Sequence, residues 1–389
     1  MKILVVHNAY QSRYIGGEDV VVQREIKGLK KSLGENNIFS YWVSNDDIKS
    51  FKLAQNIWGD KTHGQNIFNL IKKEGINIVH VHNFFPLLTP SVFEAAKTAG
   101  AKVVHTLHNF RWWCLAGTFY HDKIGTCEQC LDKSFAWPAV VNRCYRGSTV
   151  QSLAGSLAFA WYKHQGVQQS IDAYFALTQF QLDKCKVLLP PEKLWLKPNP
   201  IEPPNDPPAD HPVDKSKNKK GYLFVGRLER AKGIDLLLST WKNVGSEYVL
   251  TIIGEGENRA LLSQQYAQEN IRFLGQLPLE SVYEYIEAAK YLIHPSLTYE
   301  TFGLTLVEAL ARGTPVIGLN CGTRPEFIKH RENGFLFEEA NVAQVIKLSD
   351  DFTAYAQLSQ NARSSAQKFY APVVIDQQVA LYDQILREE

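Results

Sequence analysis

The chain lacks the features that would place it within a membrane or on nucleic acid. Four consecutive apolar residues, Ile3 to Val6, are too few for a signal-peptide core, and the apolar stretch from Leu153 to Tyr162 is too short to span a bilayer. The formal net charge is only +2 over 389 residues, so no overall basic field exists to attract nucleic acid. These absences predict a cytoplasmic protein with no nucleic-acid partner.

Two nucleotide-binding motifs are missing or incomplete. No Walker-type G-x-x-x-x-G-K is present, and the run from Gly254 to Arg259 is a dinucleotide fingerprint without its third glycine. A dehydrogenase is therefore disfavoured. The six cysteines are also few for a disulfide framework in a chain of this size, and reduced or metal-bound thiols are favoured.

The length and the hydrophobic pattern predict two α/β domains. A chain of 389 residues exceeds what one core usually organises. Short β-branched runs alternate with amphipathic stretches, which is typical of βαβ units and parallel sheets. The expected parts are an N-terminal domain 1–198 with an aromatic and cysteine-rich insertion at about 108–147, a proline-rich linker 199–220, a C-terminal domain 221–371, and a helix 372–389 that packs back on the N-terminal domain.

The segment from Glu300 to Leu310 predicts an anion site. A strand that ends at His294 leads through a loop into a helix, whose first N–H groups are unpaired and lie at the positive end of its dipole: Gly303, Leu304 and Thr305. Glu300 and Glu308 can accept hydrogen bonds from sugar and ribose hydroxyls. The alternatives are a loop charge at Glu300 and a solvated helix face at Glu308, although neighbouring apolar residues favour burial of Glu308, and a buried carboxylate needs a partner.

A second charged motif runs from Gly226 to Gly233, directly after the strand Tyr222 to Val225. Open α/β sheets bind ligands at this carboxyl edge. Arg227 and Lys232 could neutralise a diphosphate, the first as a bidentate fork and the second as a point charge. Taken alone, such a loop is also compatible with solvated surface.

These motifs give the chain a family resemblance. Together with Gly16-Gly17 after the first strand and Pro198-Asn199-Pro200 before the linker, they resemble glycosyltransferase family 4, a retaining family of GT-B fold. The segments from Ile78 to Pro86 and from Thr106 to Arg111 are also similar, so the resemblance covers nearly the whole chain. It implies two Rossmann-like domains with parallel sheets that face each other across an interdomain cleft.

The resemblance implies a role for each matched residue. Arg227 and Lys232 would hold the diphosphate, Glu300 the donor-sugar hydroxyls and Glu308 the ribose hydroxyls. His108 would face the sugar and its β-phosphate, although a lone histidine is more often structural. The implied catalytic residues are His108, Arg227, Lys232 and Glu300. The implied donor-binding residues are Gly16, Gly17, Asn199, Gly226, Arg227, Lys232, Gly254, Glu255, Leu277, Glu300, Phe302, Gly303, Leu304, Thr305 and Glu308.

The implied reaction is transfer of a hexose from a nucleotide sugar, with UDP favoured, to a saccharide or lipid-linked saccharide. Exopolysaccharide, lipopolysaccharide or glycoconjugate synthesis would use it. No Asp-x-Asp metal motif of the other main glycosyltransferase fold is present, so no catalytic metal cofactor is expected. The alternatives are a GT-B epimerase or phosphorylase, and a non-catalytic nucleotide-sugar-binding subunit.

Cys114, Cys127, Cys130 and Cys144 are spaced C-x12-C-x2-C-x13-C within the insertion. Four thiolates with a central Cys-x-x-Cys fit tetrahedral structural zinc. Core thiols or two disulfides are the alternatives. His80 and His82 alternate on one strand and face the same side, but the sequence shows no third ligand for a metal there.

A basic stretch suggests a peripheral membrane contact at the inner face of the membrane. Cations lie beside apolar residues along Val20 to Leu33: Arg24, Lys27, Lys30 and Lys31. Such a helix can lie on anionic lipid. It can equally pack its apolar side on the sheet.

Overall fold

The computed structural model describes residues 1–10, 16–47, 61–204, 221–266 and 268–388, which form two compact units. Unit 1 comprises Met1–Phe119, Glu128–Pro200 and Ala371–Glu389, and unit 2 comprises Tyr120–Cys127 and Ile201–Tyr370. No helix in the described ranges is both long and apolar enough to cross a membrane.

Unit 1 is built on a six-stranded parallel sheet. Its strands are β1 (Ile3–Ala9), β2 (Ile38–Ser44), β3 (Ile78–Asn83), β4 (Lys102–Thr106), β7 (Ala173–Ala176) and β8 (Leu194–Leu196), in the order β2-β1-β3-β4-β7-β8. Every residue of β1 is buried, as expected for a strand covered on both faces. The helices are α1 (Gly17–Leu33), α2 (Lys61–Glu74), α3 (Ser91–Thr98), α4 (Trp137–Val141), α5 (Thr149–His164), α6 (Gln179–Cys185) and the last helix, α14 (Ala371–Arg387).

Unit 2 repeats the architecture with a different strand order. Its strands are β9 (Tyr222–Val225), β10 (Leu250–Ile253), β11 (Ile271–Gly275), β12 (Tyr291–His294), β13 (Val316–Leu319) and β14 (Gly334–Phe337), all parallel, in the order β11-β10-β9-β12-β13-β14. Its helices are α7 (Ile234–Trp241), α8 (Arg259–Gln265), α9 (Leu279–Ala288), α10 (Leu304–Ala311), α11 (Arg324–Phe327), α12 (Val342–Asp350) and α13 (Tyr355–Ala366). This strand order is that of the Rossmann fold.

Part of the predicted insertion belongs to unit 2. The antiparallel hairpin of β5 (Tyr120–His121) and β6 (Gly125–Thr126) is grouped there, whereas α4 lies in unit 1. The sequence predicts the whole insertion within the N-terminal domain. Sequence order could not indicate that this hairpin is grouped with unit 2.

Helix α1 does not offer an apolar face to a membrane. Val22 and Leu29 are fully buried in the core of unit 1. Arg24 is also buried, with only 6% of its surface exposed. Helix α1 also packs against α14. The packing alternative therefore describes the apolar side of this helix, and a peripheral membrane contact stays a prediction.

A buried polar network, which we call the Glu25 cluster, joins α1 to the sheet and to α14. The Glu25 carboxylate accepts hydrogen bonds from Lys197 Nζ and from Gln378 Nε2, the latter at 2.5 Å, and lies 3.2 Å from His80 Nδ1. Burial alone would raise the pKa of the Glu25 carboxyl, but Lys197 and the neighbouring histidines lower it well below its ordinary value. The cluster is completed by Tyr382, whose hydroxyl lies 2.6 Å from both His80 Nδ1 and Gln378 Nε2.

We expect the free energy of unfolding to decrease as the pH falls from 7.5 to 5. Burial lowers the pKa of His82 to about 3 and that of His105 to about 4. Below about pH 6.5 the unfolded chain therefore binds protons that the folded chain does not, which destabilises the fold by up to about 1.4 kcal/mol per pH unit and histidine. Urea unfolding midpoints measured across this range would check it.

The control compares a buried histidine with an exposed one. His105→Gln removes one buried titrating group and should make the pH dependence shallower, whereas exposed His164→Gln should leave it unchanged. A midpoint that stays constant from pH 7.5 to 5 would contradict the prediction. Measurements above pH 4.5 report on the histidines, because the carboxylates of Glu25 and Glu300 remain ionised there.

Candidate functional site

Both charged motifs follow the two central strands of unit 2. The sheet order reverses between β9 and β12, and ligands of such sheets bind outside the carboxyl ends of the strands at this point. The loop after β9 holds Arg227 and Lys232, and the loop after β12 holds Glu300. The topology therefore brings two segments together that lie about 70 residues apart in the chain.

A glycine allows these two loops to touch. Gly233 has φ +74°, and a Cβ atom there would lie 2.0 Å from the carbonyl oxygen of Pro295. The contact is continued by the Leu297 amide, which donates to the Ala231 carbonyl at 2.9 Å. Any larger residue at 233 would push the loops apart.

The close approach places Lys232 beside Glu300. Lys232 Nζ lies 2.6 Å from Glu300 Oε1, and Ser296 Oγ donates to the same carboxylate oxygen at 2.7 Å. Burial would raise the pKa of the Glu300 carboxyl, but the Lys232 charge lowers it well below its ordinary range, so Glu300 is ionised at neutral pH. Glu300 also has φ +50°, a strained conformation for a residue with a side chain.

Arg227 is held differently from Lys232. Its side chain is 66% exposed, and Nη1 lies 2.9 Å from Glu229 Oε1 on the same loop. An exposed pair of this kind contributes little to stability, so its guanidinium can change partner at small cost.

The loop after β12 ends in a helix N-terminus. Gly303, with φ +80°, is the N-cap of α10, and no side chain caps the helix. The amides of Leu304 and Thr305 are therefore available to an anion, as the sequence predicts. Phe302, a predicted donor-binding residue, has a buried side chain, and its donor contact stays a prediction. It is 2% exposed and packs edge-on against Phe327 and Phe369, so its ring anchors the loop in the core.

Glu308 is buried, and the solvated-face alternative is wrong for this residue. It is 4% exposed, and its Oε1 accepts a hydrogen bond from the Tyr283 hydroxyl at 2.9 Å. The Arg312 guanidinium lies 3.4 Å from the centre of the Tyr283 ring. The carboxylate thus has the partner that its burial requires.

The predicted base-side residues lie at the ends of the next two strands. A Cβ atom on Gly254 would lie 1.9 Å from the Gly226 carbonyl oxygen, and the Gly254 amide donates to the Gly275 carbonyl at 2.8 Å. Glu255 pairs with Arg259 at 2.8 Å, and both side chains are more than a third exposed. Leu277 is half-buried, two residues after β11.

Two residues near Glu300 were missed by the sequence analysis. Burial lowers the pKa of His294 to about 4, and its buried Nδ1 has no hydrogen-bond partner among the described residues. Arg324 is fully buried and donates from Nε to the Leu319 carbonyl at 2.8 Å and from Nη2 to the Thr298 carbonyl at 2.9 Å, which fixes the loop that carries Glu300. The position of His294 at a strand end was a usable signal. A buried arginine is too rare to infer from sequence.

The N-terminal candidates follow the strands of unit 1. Gly16 and Gly17 lie at the start of α1, where the Gly16 amide donates to Asp19 Oδ2 at 3.2 Å. Asp19 Oδ1 lies 2.8 Å from His7 Nε2, so the turn is tied to β1. Asn199, which follows β8, is 5% exposed, and its Oδ1 is buried without a hydrogen-bond partner in the described part of the chain.

His108 is linked to the Glu25 cluster through His82. His108 Nε2 lies 2.8 Å from His82 Nδ1, and His82 Nε2 lies 3.3 Å from the Glu25 carboxylate. A carboxylate repels a ring lone pair, so the proton of neutral His82 belongs on Nε2 and its Nδ1 accepts from His108. Burial and the nearby His82 hold the pKa of His108 well below its ordinary value. Neutral His108 therefore carries its proton on Nε2 and a lone pair on Nδ1.

Metal-ligating side chains gather at one place in the described residues, at Glu25, His80 and His82, whose ligand atoms lie within 4.8 Å of one another. Glu25 is the third ligand that the sequence did not show. However, Lys197 already neutralises its carboxylate, and an ammonium group and a metal ion would repel each other. The arrangement fits an ion-pair network better than a metal centre.

The four cysteines of the insertion are not gathered in this way. Cys114, Cys130 and Cys144 lie in unit 1 and do not form a group of ligand atoms within 4.8 Å, and Cys127 is assigned to unit 2. None of the four is in a disulfide, and all are partly buried. Zinc binding by these residues stays a prediction.

The second unit matches a known family model. Residues 208–369 match the model described as "Glycosyl transferases group 1". An uncharacterized glycosyltransferase of Haemophilus influenzae is 29% identical over 228 residues, which cover 54% of this chain and 63% of that protein. The N-acetyl-alpha-D-glucosaminyl L-malate synthase of Bacillus anthracis is 25% identical over 45% of this chain and 48% of its own length. The chain thus spans only part of the curated relatives that it matches.

Solved glycosyltransferase structures share the fold over the whole chain. The sucrose-phosphate synthase of Thermosynechococcus elongatus has a TM-score of 0.71 at 16% identity, with 100% of both chains covered. Anabaena Alr3699/HepE, solved in complex with UDP-glucose, has a TM-score of 0.65 at 18% identity, with 99% of each chain covered. These likenesses confirm the predicted GT-B fold class. At such identities they show the fold alone.

Proposed function

We propose that this protein is a retaining glycosyltransferase of the family 4 type, which transfers a hexose from a UDP-sugar to a saccharide or lipid-linked saccharide. The observation that carries the proposal is the Lys232–Glu300 pair beside the uncapped N-terminus of α10, at the reversal point of the sheet. This site lies inside the segment that matches the group 1 glycosyl transferase model. A saccharide acceptor of this kind would be extended in the cytoplasm, in exopolysaccharide, lipopolysaccharide or glycoconjugate synthesis.

The proposed chemistry is departure of a nucleoside diphosphate. The bond between the anomeric carbon and the diphosphate oxygen breaks as the acceptor hydroxyl attacks from the same face, which retains configuration, and the hydroxyl proton passes to the departing diphosphate oxygen. Charge that develops on the leaving oxygens would be stabilised by Arg227, Lys232 and the amides at Gly303, Leu304 and Thr305, with no catalytic metal. The diphosphate would compete with Glu300 for Lys232 and so leave the carboxylate for the sugar hydroxyls.

Each of the other predicted site residues would have a role in donor binding. Buried Glu308, oriented by Tyr283, would accept hydrogen bonds from the ribose hydroxyls. Gly254, Glu255 and Leu277 would border the base. His108, whose Nε2 lies 2.8 Å from His82 Nδ1, would face the donor sugar and its β-phosphate. Gly16, Gly17 and Asn199 would also bind the donor.

The function is tested by donor binding and by product formation. A panel of UDP-sugars and other nucleotide sugars is screened for thermal stabilisation, since a ligand that binds only the folded protein raises its melting temperature. The stabilising donor is then incubated with saccharide acceptors. Transfer to an acceptor supports the proposal. Epimerised sugar without acceptor would favour an epimerase, and binding without any turnover would favour a non-catalytic subunit.

We expect Glu300→Gln to reduce turnover by about 100-fold, because it removes contacts to the sugar that strengthen in the transition state. Affinity for free UDP should stay equal or increase, since the substitution releases Lys232 from its 2.6 Å ion pair. Calorimetric titration with UDP and initial-rate kinetics would measure the two effects separately.

Arg227→Ala is the matched comparison. It should weaken UDP binding by about 10-fold, which is the effect of one lost charge-assisted hydrogen bond. Glu229→Gln, which removes only the resting partner of Arg227, should leave turnover near normal. If Glu300→Gln lost UDP affinity to the same degree as Arg227→Ala, the sugar role of Glu300 would be wrong.

Two roles of metal can be separated in one preparation. If Arg227 and Lys232 replace a catalytic cation, transfer should proceed in mild chelator and should not increase on addition of magnesium or manganese. If Cys114, Cys127, Cys130 and Cys144 bind structural zinc, elemental analysis should find about one zinc per chain. A strict requirement for added magnesium would contradict the first expectation. Metal-free protein of unchanged thermal stability would contradict the second.

A further inference from the structure

Helix α5 exposes four large apolar side chains. Val150, Leu153, Leu157 and Trp161 are 76%, 38%, 41% and 45% exposed. Their spacing of three and four residues places them on one side of the helix, in a stripe about 16 Å long. The neighbouring helix α4, which packs against α5, exposes Trp137 and Val141. We call these six residues the α5 surface.

The opposite side of α5 is buried and combines small polar residues with two aromatic ones, Phe159 and Tyr162. Ser152 and Ser156 are buried, and their hydroxyls form hydrogen bonds with backbone groups. The Tyr145 amide donates to Ser152 Oγ at 3.0 Å, and Ser156 Oγ donates to the Ala136 carbonyl at 3.4 Å. Gly155 is buried on this side against Leu115. Helix α5 is therefore apolar on both sides, whereas a surface helix usually carries polar residues on the side that meets water.

The sequence segment that carries the α5 surface has formal charges of one sign. No aspartate or glutamate occurs from Lys133 to Ile171, whereas four cations do: Lys133, Arg143, Arg146 and Lys163. The first three of these are exposed. The α5 surface thus lies on a segment, Lys133 to Ile171, whose formally charged residues are all cations, which matches a surface that is apolar inside and anionic outside.

We propose that the α5 surface docks on a bilayer that contains anionic phospholipid, with α5 lying in the plane of the interface. Trp161 and the aliphatic side chains enter the headgroup region, and Arg143 and Arg146 contact the lipid phosphates. A second copy of this chain is a poorer occupant, because a two-fold interface would bring the cations of both copies together without any acid to pair them. The inference does not depend on glycosyl transfer, since it can be measured without a donor.

The test is co-sedimentation of the full chain with vesicles of phosphatidylcholine alone or mixed with phosphatidylglycerol. We expect binding to the mixed vesicles, weakened by salt, and at least a 10-fold loss of binding in Leu157→Glu and Trp161→Glu. Both side chains are exposed, so the melting temperatures should not change. Leu261→Glu, at a 60% exposed leucine of α8, is the matched control and should bind like the unmodified chain.

Three results would overturn the proposal. The first is equal binding of the unmodified chain and Leu157→Glu to mixed vesicles. The second is loss of binding in a Lys27→Glu/Lys30→Glu variant of α1 while Leu157→Glu still binds, which would place the contact on α1. The third is absence of vesicle binding together with a dimer in sedimentation velocity that Leu157→Glu dissociates, which would assign the α5 surface to a second copy.

Discussion

The buried ion pair between Glu25 and Lys197 is the constraint on which unit 1 depends. It joins α1 to the segment after β8, and through His80, Gln378 and Tyr382 it also joins β3 and α14. Such a pair is not a source of stability by itself, because desolvation offsets much of the attraction. The ion pair instead fixes the positions of these elements relative to one another. Each partner is buried and costly to leave alone, so the elements that carry them assemble in one arrangement, and the same network sets the protonation of His108.

In unit 2, close backbone contacts fix the positions of the loops that carry the charged residues. Gly233 and Gly254 let neighbouring loops approach to distances that no side chain would permit, and the charged residues follow from that approach. Lys232 and Glu300 are only partly exposed and hold each other, whereas Arg227 is exposed and loosely paired. Each of the two ion pairs is therefore neutral, and an anion that entered between them could exchange partners without first creating an unpaired buried charge.

The features that could be predicted from sequence are those with a local signal. Alternating apolar runs predict both parallel sheets, and a glycine before an apolar helix predicts the uncapped N-terminus at Gly303. The partners of buried polar groups could not be predicted, because Glu25 meets residues more than 170 positions away. Likewise, the sequence predicts Glu308 as a site residue but does not indicate its hydrogen bond from Tyr283, and it does not indicate the buried position of Arg324. Amphipathicity alone also could not decide the surroundings of α1, since periodicity does not say which side of a helix meets water, sheet or lipid.

The position of α14 has a consequence for how the protein is made. Ile375, Tyr382 and Ile385 complete the core of unit 1, yet they are synthesised after the whole of unit 2. A ribosome that has finished the first 200 residues has therefore produced a sheet whose helix layer is open and whose Glu25 cluster lacks two members. Unit 2, apart from its hairpin, is contiguous and can close as soon as it emerges. The domain that begins the chain is thus the one that finishes folding last.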